Sequence, residues 1–446
     1  MAWLFDILYA LGLLLALPVL LIKSFRTGKY RTDWAARLGR YAAAPAAKTP
    51  RQKRLMLHCV SVGELLSVRQ LVDRLLQEDP DLAIIITTTT DTGTARAQAT
   101  YASAAYLGRV LTYRYPLDFS FAVRRFLNHA RPDVIALVEL ETWPNFIRLA
   151  TRRQIPVVVI NGRLTARSLN RYKIIRPVVA GMMRRLAWLG VQTPTIAGRF
   201  AQLGAPRDKT QIIPTLKYDT ADLSDRIPGT DELAKSCGIL PEHQLLVGGS
   251  TGPGEEVFLI ETYQILQKAY PHLRLAMAPR KPETVAPVLA ALQAAGLRPI
   301  LRTERPDQDR GSIEAWGAPL GPADVLVLNT LGELKKLYCL SFASFVGRSL
   351  VPLGGSDMIE AAALAKPCCF GPYTANFAEA VELLTTQSAA TVVTSAAELT
   401  GVLKLWLANP AAAAAIGQRA REVIAAQRGS TAVYVAKLRS LLASRT

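Results

Sequence analysis

The sequence predicts an α/β protein of two successive domains, each a parallel β-sheet covered on both faces by helices. Three observations carry that prediction. At 446 residues, half of them hydrophobic, the chain exceeds what one ordinary core accommodates, so two domains of about 200 residues are expected. Apolar runs of strand length alternate with helix-like periodicity, and continuous Val/Ile/Leu runs of that kind belong to strands buried on both faces. A polar stretch, KYDTADLSDRIPGTDEL at 217–233, separates one set of runs from a second. Glycine and proline are dispersed, without repeats or low-complexity tracts, which excludes a disordered or repetitive chain.

Taken in order, WLFDILYALGLLLALPVLLI at 3–22 gives an apolar run that spans about 30 Å as a helix, the thickness of one bilayer core. No positive side chain precedes it and no small-residue cleavage site follows, which argues against a signal peptide. Lys23, Arg26, Lys29, Arg31, Arg37 and Arg40 come after it, and by the positive-inside rule they keep the body of the protein cytoplasmic. Residues 1–25 are therefore expected to form a single membrane anchor that supplies location rather than chemistry. Asp6 and Pro18 weaken the span, leaving a helix that lies in the interface as the alternative. RLMLHCV, LAIIITTTT, VIALVEL, IPVVVIN and LAWLGVQ then read as the strands of an N-terminal domain, 26–215. QLLVGGS, LRLAMAP, VLVLNT, FASFVG and PCCFGP read as those of a C-terminal domain, 216–425, and 426–446 as a terminal helix able to pack back on the N-terminal domain.

The net charge of +18 is unevenly placed. From Thr142 to Arg207 there is no acidic residue, while Arg148, Arg152, Arg153, Arg163, Arg167, Arg171, Lys173, Arg176, Arg184, Arg185, Arg199 and Arg207 all fall inside. Such a stretch suits an anionic surface or substrate, and beside the apolar first segment it favours a membrane surface over nucleic acid. Five cysteines, two of them adjacent, form neither a disulfide framework nor zinc spacing. The four histidines are scattered, and D-x-D occurs only at 79–81 and 307–309, in a helix end and a charged loop, so no metal site is expected.

Two kinds of motif carry chemistry. HCVSVGELL at 58–66 runs from a strand through a turn into a helix with Glu64 at the joint. Ser61 to Glu64 fits an S-x-x-E capping box, and this stretch alone favours a helix cap over a catalytic base for Glu64. VGGSTGPGEEV at 247–257, NTLGELKKLY at 329–338 and VGRSLVPLGGSDMIEAA at 346–362 each leave a strand through glycines and enter a helix, the design of a phosphate cradle. None is a G-x-G-x-x-G or Walker loop, which removes the main signature of dinucleotide oxidoreductases and P-loop NTPases.

In order along the chain, SVGE at 61–64, YPLD at 115–118, ELETWPN at 139–145, NGRLTARS at 161–168, LKYD at 216–219, GSTGPGEE at 249–256, PRKPE at 279–283, LGELKKLY at 331–338, VGRSLVPLGGSDMIE at 346–360 and GPYTANF at 371–377 resemble the 3-deoxy-D-manno-octulosonic acid (Kdo) transferases. The resemblance implies a GT-B glycosyltransferase of lipopolysaccharide synthesis: two Rossmann-like domains facing a cleft, inverting, without metal or cofactor, and attached to the inner membrane. It implies CMP-Kdo as donor and a phosphorylated lipid A precursor as acceptor. By the same resemblance Glu64 is the general base, and Glu139, Glu141, Asn145, Arg163 and Ser168 lie on the acceptor side. Lys217, Ser250, Thr251, Arg280, Gly332, Glu333, Ser349, Asp357, Glu360 and Asn376 bind the donor, with Arg280 on its phosphate or carboxylate and Glu360 on the ribose. The chain departs from the family pattern at Ser356-Asp357, where His-Asn is usual, at Lys281 for histidine, at Asn329 for aspartate, and at Pro214-Thr215 for Gly-Asn.

Overall fold

The structure, a computed structural model, describes residues 2–27, 32–41, 52–141, 143–305 and 317–444. Lys29, Arg31, Thr142 and the D-x-D at 307–309 lie outside these residues. Two compact units are present: residues 1–220 with 428–446, and residues 221–427.

The first unit holds a seven-stranded parallel sheet of β1 (Arg54–His58), β2 (Ala83–Thr88), β3 (Val110–Arg114), β4 (Val134–Val138), β5 (Val157–Gly162), β6 (Trp188–Val191) and β7 (Thr210–Ile212), ordered β3-β2-β1-β4-β5-β6-β7. Val134–Val138 and Val157–Gly162 are buried along their whole length, as a sheet covered on both faces requires. The last helix, Ser430–Ala443, completes the core on one face: Tyr434, Val435, Leu438 and Leu442 are buried among strand residues such as Leu55, Ile84 and Val158. Two further contacts hold it. Asp219 accepts from the backbone N–H of Gly429 and Thr431, and Tyr434 Oη accepts from Asn161 N at 2.8 Å.

The second unit repeats the design with β8 (Gln244–Thr251), β9 (Leu273–Pro279), β10 (Arg298–Leu301), β11 (Asp324–Val327), β12 (Ala343–Val346), β13 (Cys368–Phe370) and β14 (Thr391–Val392), ordered β10-β11-β9-β8-β12-β13-β14 and again all parallel. All ten strands read from the sequence are present. The four not anticipated, β3, β7, β10 and β14, are the two edges of each sheet.

The expected spanning anchor is not found. Among the described residues no single helix is long and apolar enough to cross a membrane; the first helix, Ala2–Thr27, contributes a shorter apolar stretch, Phe5–Val19. Its start is built into the first unit. Asp6 accepts from Ser120 N and Oγ at 2.7 and 2.6 Å and from Asn145 Nδ2 at 3.0 Å, while Tyr9 packs edge-on against Phe119 and Trp143. A carboxylate facing protein donors is consistent with a helix lying on the domain, and it corrects the expectation that this segment supplies location alone. The opposite face leaves Leu8, Leu11, Leu14 and Leu15 exposed.

Candidate active site

In parallel α/β sheets ligands gather beyond the strand carboxyl ends, where the strand order reverses. In the first sheet that point lies between β1 and β4, which pair directly with His58 opposite Leu137. The residues that follow those two ends are the motifs singled out in the sequence: Ser61–Glu64 after β1, Glu139–Glu141 after β4.

Glu64 sits in the first turn of the helix Val62–Ser67. The capping reading is observed: Glu64 N donates to Ser61 Oγ at 3.3 Å, and the Glu64 carboxylate accepts from Val60 N and Ser61 Oγ, both at 2.8 Å. The carboxyl is nevertheless pushed up to about 7, first by burial and next by the charge of Glu139, against the three hydrogen bonds that favour its ionised form. Glu141 is likewise raised to about 7 by burial, then by Glu64 and Glu139. Glu139 is held in the left-handed region, φ 61°, by the hydrogen bond from its N–H to Ile160 O that ends the β4–β5 ladder. Glu64 and Glu141 thus titrate near neutral pH, each raised in part by the charge of Glu139, and a carboxylate poised there suits a general base at pH 7.

The remaining acceptor-side residues divide. Asn145 is fully buried, and its amide donates to Asp6 Oδ1 and, at 2.7 Å, to Asp118 O, so it is a structural tie rather than an acceptor contact. Its neighbour Asp118, missed in the sequence, accepts from Asn145 N and Phe146 N and is raised to about 7 by burial. Ser168 belongs to the cap of the helix Ala166–Ile174, with its N–H on Thr165 Oγ1. Arg163 follows β5, at the same end of the sheet as the glutamates.

In the second sheet the order reverses between β8 and β12. Ser250 and Thr251 end β8, Ser349 follows β12, and Arg280 follows β9, its N–H on Thr251 O at 3.1 Å. Buried Tyr338, which sequence reasoning passed over, marks where these turns meet. Its hydroxyl lies where a side chain on Gly249 would stand, and its ionisation is disfavoured by burial first, then by Glu360 and Asp357, while Arg280 acts oppositely. Arg280, Asp357 and Glu360 therefore all bear electrostatically on Tyr338, whose hydroxyl stands against Gly249 of β8. Glu360 lies 3.9 Å from Lys335, and Asp357 Oδ1 accepts from Ile359 N at 3.2 Å, at the start of the next helix. Gly354 and Asn376 are in close contact, with Asn376 N on Gly354 O.

One donor-side expectation changes, and two further donor-side residues have other partners or another unit. Ser349 is fully buried, its hydroxyl donating to Val346 O at 2.6 Å and accepting from Gly371 N at 2.8 Å, so it holds the turn rather than facing a phosphate. Glu333 is tied to Arg302, 3.2 Å away, and to Thr330, beside the open, left-handed Gly332. Lys217 belongs to the first unit, whereas the other donor-side residues belong to the second.

Residues 32–220 match the family described as 3-deoxy-D-manno-octulosonic-acid transferase (kdotransferase). Over 434 residues the chain is 30% identical to a 3-deoxy-D-manno-octulosonic acid transferase of Haemophilus influenzae, covering 95% of each chain. It is 32% identical over 426 residues to that of Bordetella pertussis, covering 91% of this chain and 90% of the relative. Among solved structures it is similar to Anabaena Alr3699/HepE in complex with UDP, with a TM-score of 0.58 over 88% of this chain and 100% of that one; at 15% identity this likeness concerns the fold alone. With two parallel sheets as expected, glutamates at the reversal point of the first, and these relatives along nearly its whole length, the chain belongs to the 3-deoxy-D-manno-octulosonic acid transferase family of glycosyltransferases.

Proposed function

We propose that this chain transfers Kdo from CMP-Kdo to a phosphorylated lipid A precursor, with Glu64 as general base. Family membership makes it a glycosyltransferase of lipopolysaccharide biosynthesis, and the observation that supports the assignment of the base is the glutamate group at the β1–β4 reversal point. Glu64, raised to about 7, takes the proton from the acceptor hydroxyl as that oxygen attacks the anomeric carbon, and CMP leaves from the opposite face. Glu139 tunes it by its charge, and Glu141 shares the proton load of the pair. On the donor side Arg280 balances the phosphate or carboxylate, Glu360 accepts from the ribose, and Ser250, Thr251, Gly332, Asp357 and Asn376 line the donor. Arg163 contacts the acceptor.

The chain acts at the surface of the inner membrane. Two observations on the first unit support this reading. The first helix exposes Leu8, Leu11, Leu14 and Leu15, and Arg148 and Arg153 are crowded by Arg124, with Arg152 and Arg185 also bearing on Arg148, a concentration of positive charge suited to anionic headgroups. Mass spectrometry of a lipid A precursor incubated with the protein and a CMP-Kdo generating system tests the function: a mass increase of one or more Kdo residues is expected, and an unmodified acceptor overturns the proposal.

A further inference from the structure

Glu255 has no part in the chemistry described above, and its surroundings are unusual. Its side chain is fully buried, and among the described residues it makes no ion pair. A bare buried carboxylate is costly unless hydrogen bonds replace its hydration. Here four backbone N–H groups do so: Gly252 N donates to Oε2 at 2.8 Å, Arg348 N to Oε2, Ser349 N to Oε1 at 2.7 Å and Leu350 N to Oε1 at 2.8 Å. The first donor lies on the turn after β8, the other three on the turn after β12, so one side chain ties together the two turns that flank the reversal point of the second sheet.

Those turns are under local strain. Ser250 and Arg348, neither a glycine, stand at φ 52° and 60°, a conformation that is unfavourable for a residue with a side chain and persists only where the surroundings enforce it. Gly347 packs so closely that an added Cβ would lie 2.8 Å from Glu255 Oε2 and 2.5 Å from Thr251 Cα. The hydrogen bonds from the Ser356 hydroxyl to Ser250 O and from Gly355 N to Arg348 O carry the same constraint to Asp357 and Glu360.

We infer that Glu255 is a positioning residue for donor binding: its carboxylate locks the β8 and β12 turns into one rigid cradle. The inference rests on the reading of the second unit as the CMP-sugar unit. Glu255→Gln keeps the size but presents an amide NH2 to N–H donors, so at least one bond is unmade.

The test is calorimetric titration of CMP into the full chain and its Gln and Asp variants, with melting temperatures and separate KM values for donor and acceptor. In the folded Gln variant CMP affinity is expected to fall by roughly tenfold to a hundredfold, the scale of one or two unmade buried hydrogen bonds. Donor KM should rise while acceptor KM stays within about twofold, a split that general destabilisation does not produce. Glu255→Asp, charged but too short to reach all four donors, should fall between, and it carries the test if the Gln variant does not fold. Unchanged CMP affinity in a folded variant overturns the inference. So does tighter binding, which would make Glu255 an internal competitor of the donor. A wild-type chain that does not bind CMP overturns the donor-unit reading and this inference with it, whereas wild-type binding matched by the variant overturns the role of Glu255 alone.

Discussion

Asp6 Oδ1 accepts a hydrogen bond from Asn145 Nδ2 at 3.0 Å, joining the first helix to the first turn of the helix Pro144–Arg152, four residues beyond Glu141. Removing Asp6 leaves the Ser120 N–H and hydroxyl and one Asn145 N–H without this partner. Asp6→Ala should therefore lower stability by about 1–3 kcal/mol, the cost of unsatisfied buried donors. It should also reduce turnover on detergent-dispersed acceptor, where membrane location plays no part. Deleting residues 1–25 should do more of both. A truncated chain with full detergent activity and an unchanged melt would show that this helix is an attachment only.

Activity should rise with pH through about 7. Glu64 must be ionised to accept a proton, and burial with the nearby Glu139 holds its pKa at about 7. Glu64→Gln should cost roughly 10² to 10⁴ in turnover with CMP affinity nearly unchanged. Glu139→Gln removes one of the two influences that raise Glu64, so the acidic limb of kcat/KM should move to lower pH. A limb that stays in place would exclude Glu64 as the titrating group.

Stability should fall as pH rises across the same window. Glu64, Glu141 and Asp118 release their protons at about 7 in the folded chain but in the ordinary carboxyl range near 4 when unfolded. Between those values the folded state binds more protons, so ΔG of unfolding declines with pH, then levels off above about 7. Denaturant titrations at pH 5 and pH 8 check the sign, and greater stability at the higher pH would contradict the burial of these groups.

Ser349→Ala separates two roles. With the hydroxyl gone, buried Gly371 N loses its acceptor and the melt should drop by the equivalent of about 1–3 kcal/mol. Calorimetric CMP affinity in the folded variant should change little. Loss of CMP binding without loss of stability would return Ser349 to the donor contacts.

The sequence by itself determined the ten inner strands, because a strand covered on both faces must be a continuous apolar run, and it named Glu64, Glu139 and Glu141 through local motifs. It did not reveal β3, β7, β10 and β14. These edge strands are half-exposed, as in Thr-Gln-Ile of β7 and Arg-Pro-Ile-Leu of β10, and nothing obliges them to be apolar. Hydropathy likewise read the first segment as a span, since a count of apolar residues does not register that Asp6 finds Ser120 and Asn145 more than a hundred positions away. Only the tertiary structure decided which polar side chains are consumed by the fold. Ser349 and Asn145 satisfy buried backbone or carboxylate groups, and Glu255 collects N–H donors from two turns more than ninety residues apart in sequence. The physical reason is that a buried polar group must be paired, and its partner is fixed by strand order rather than by sequence neighbours.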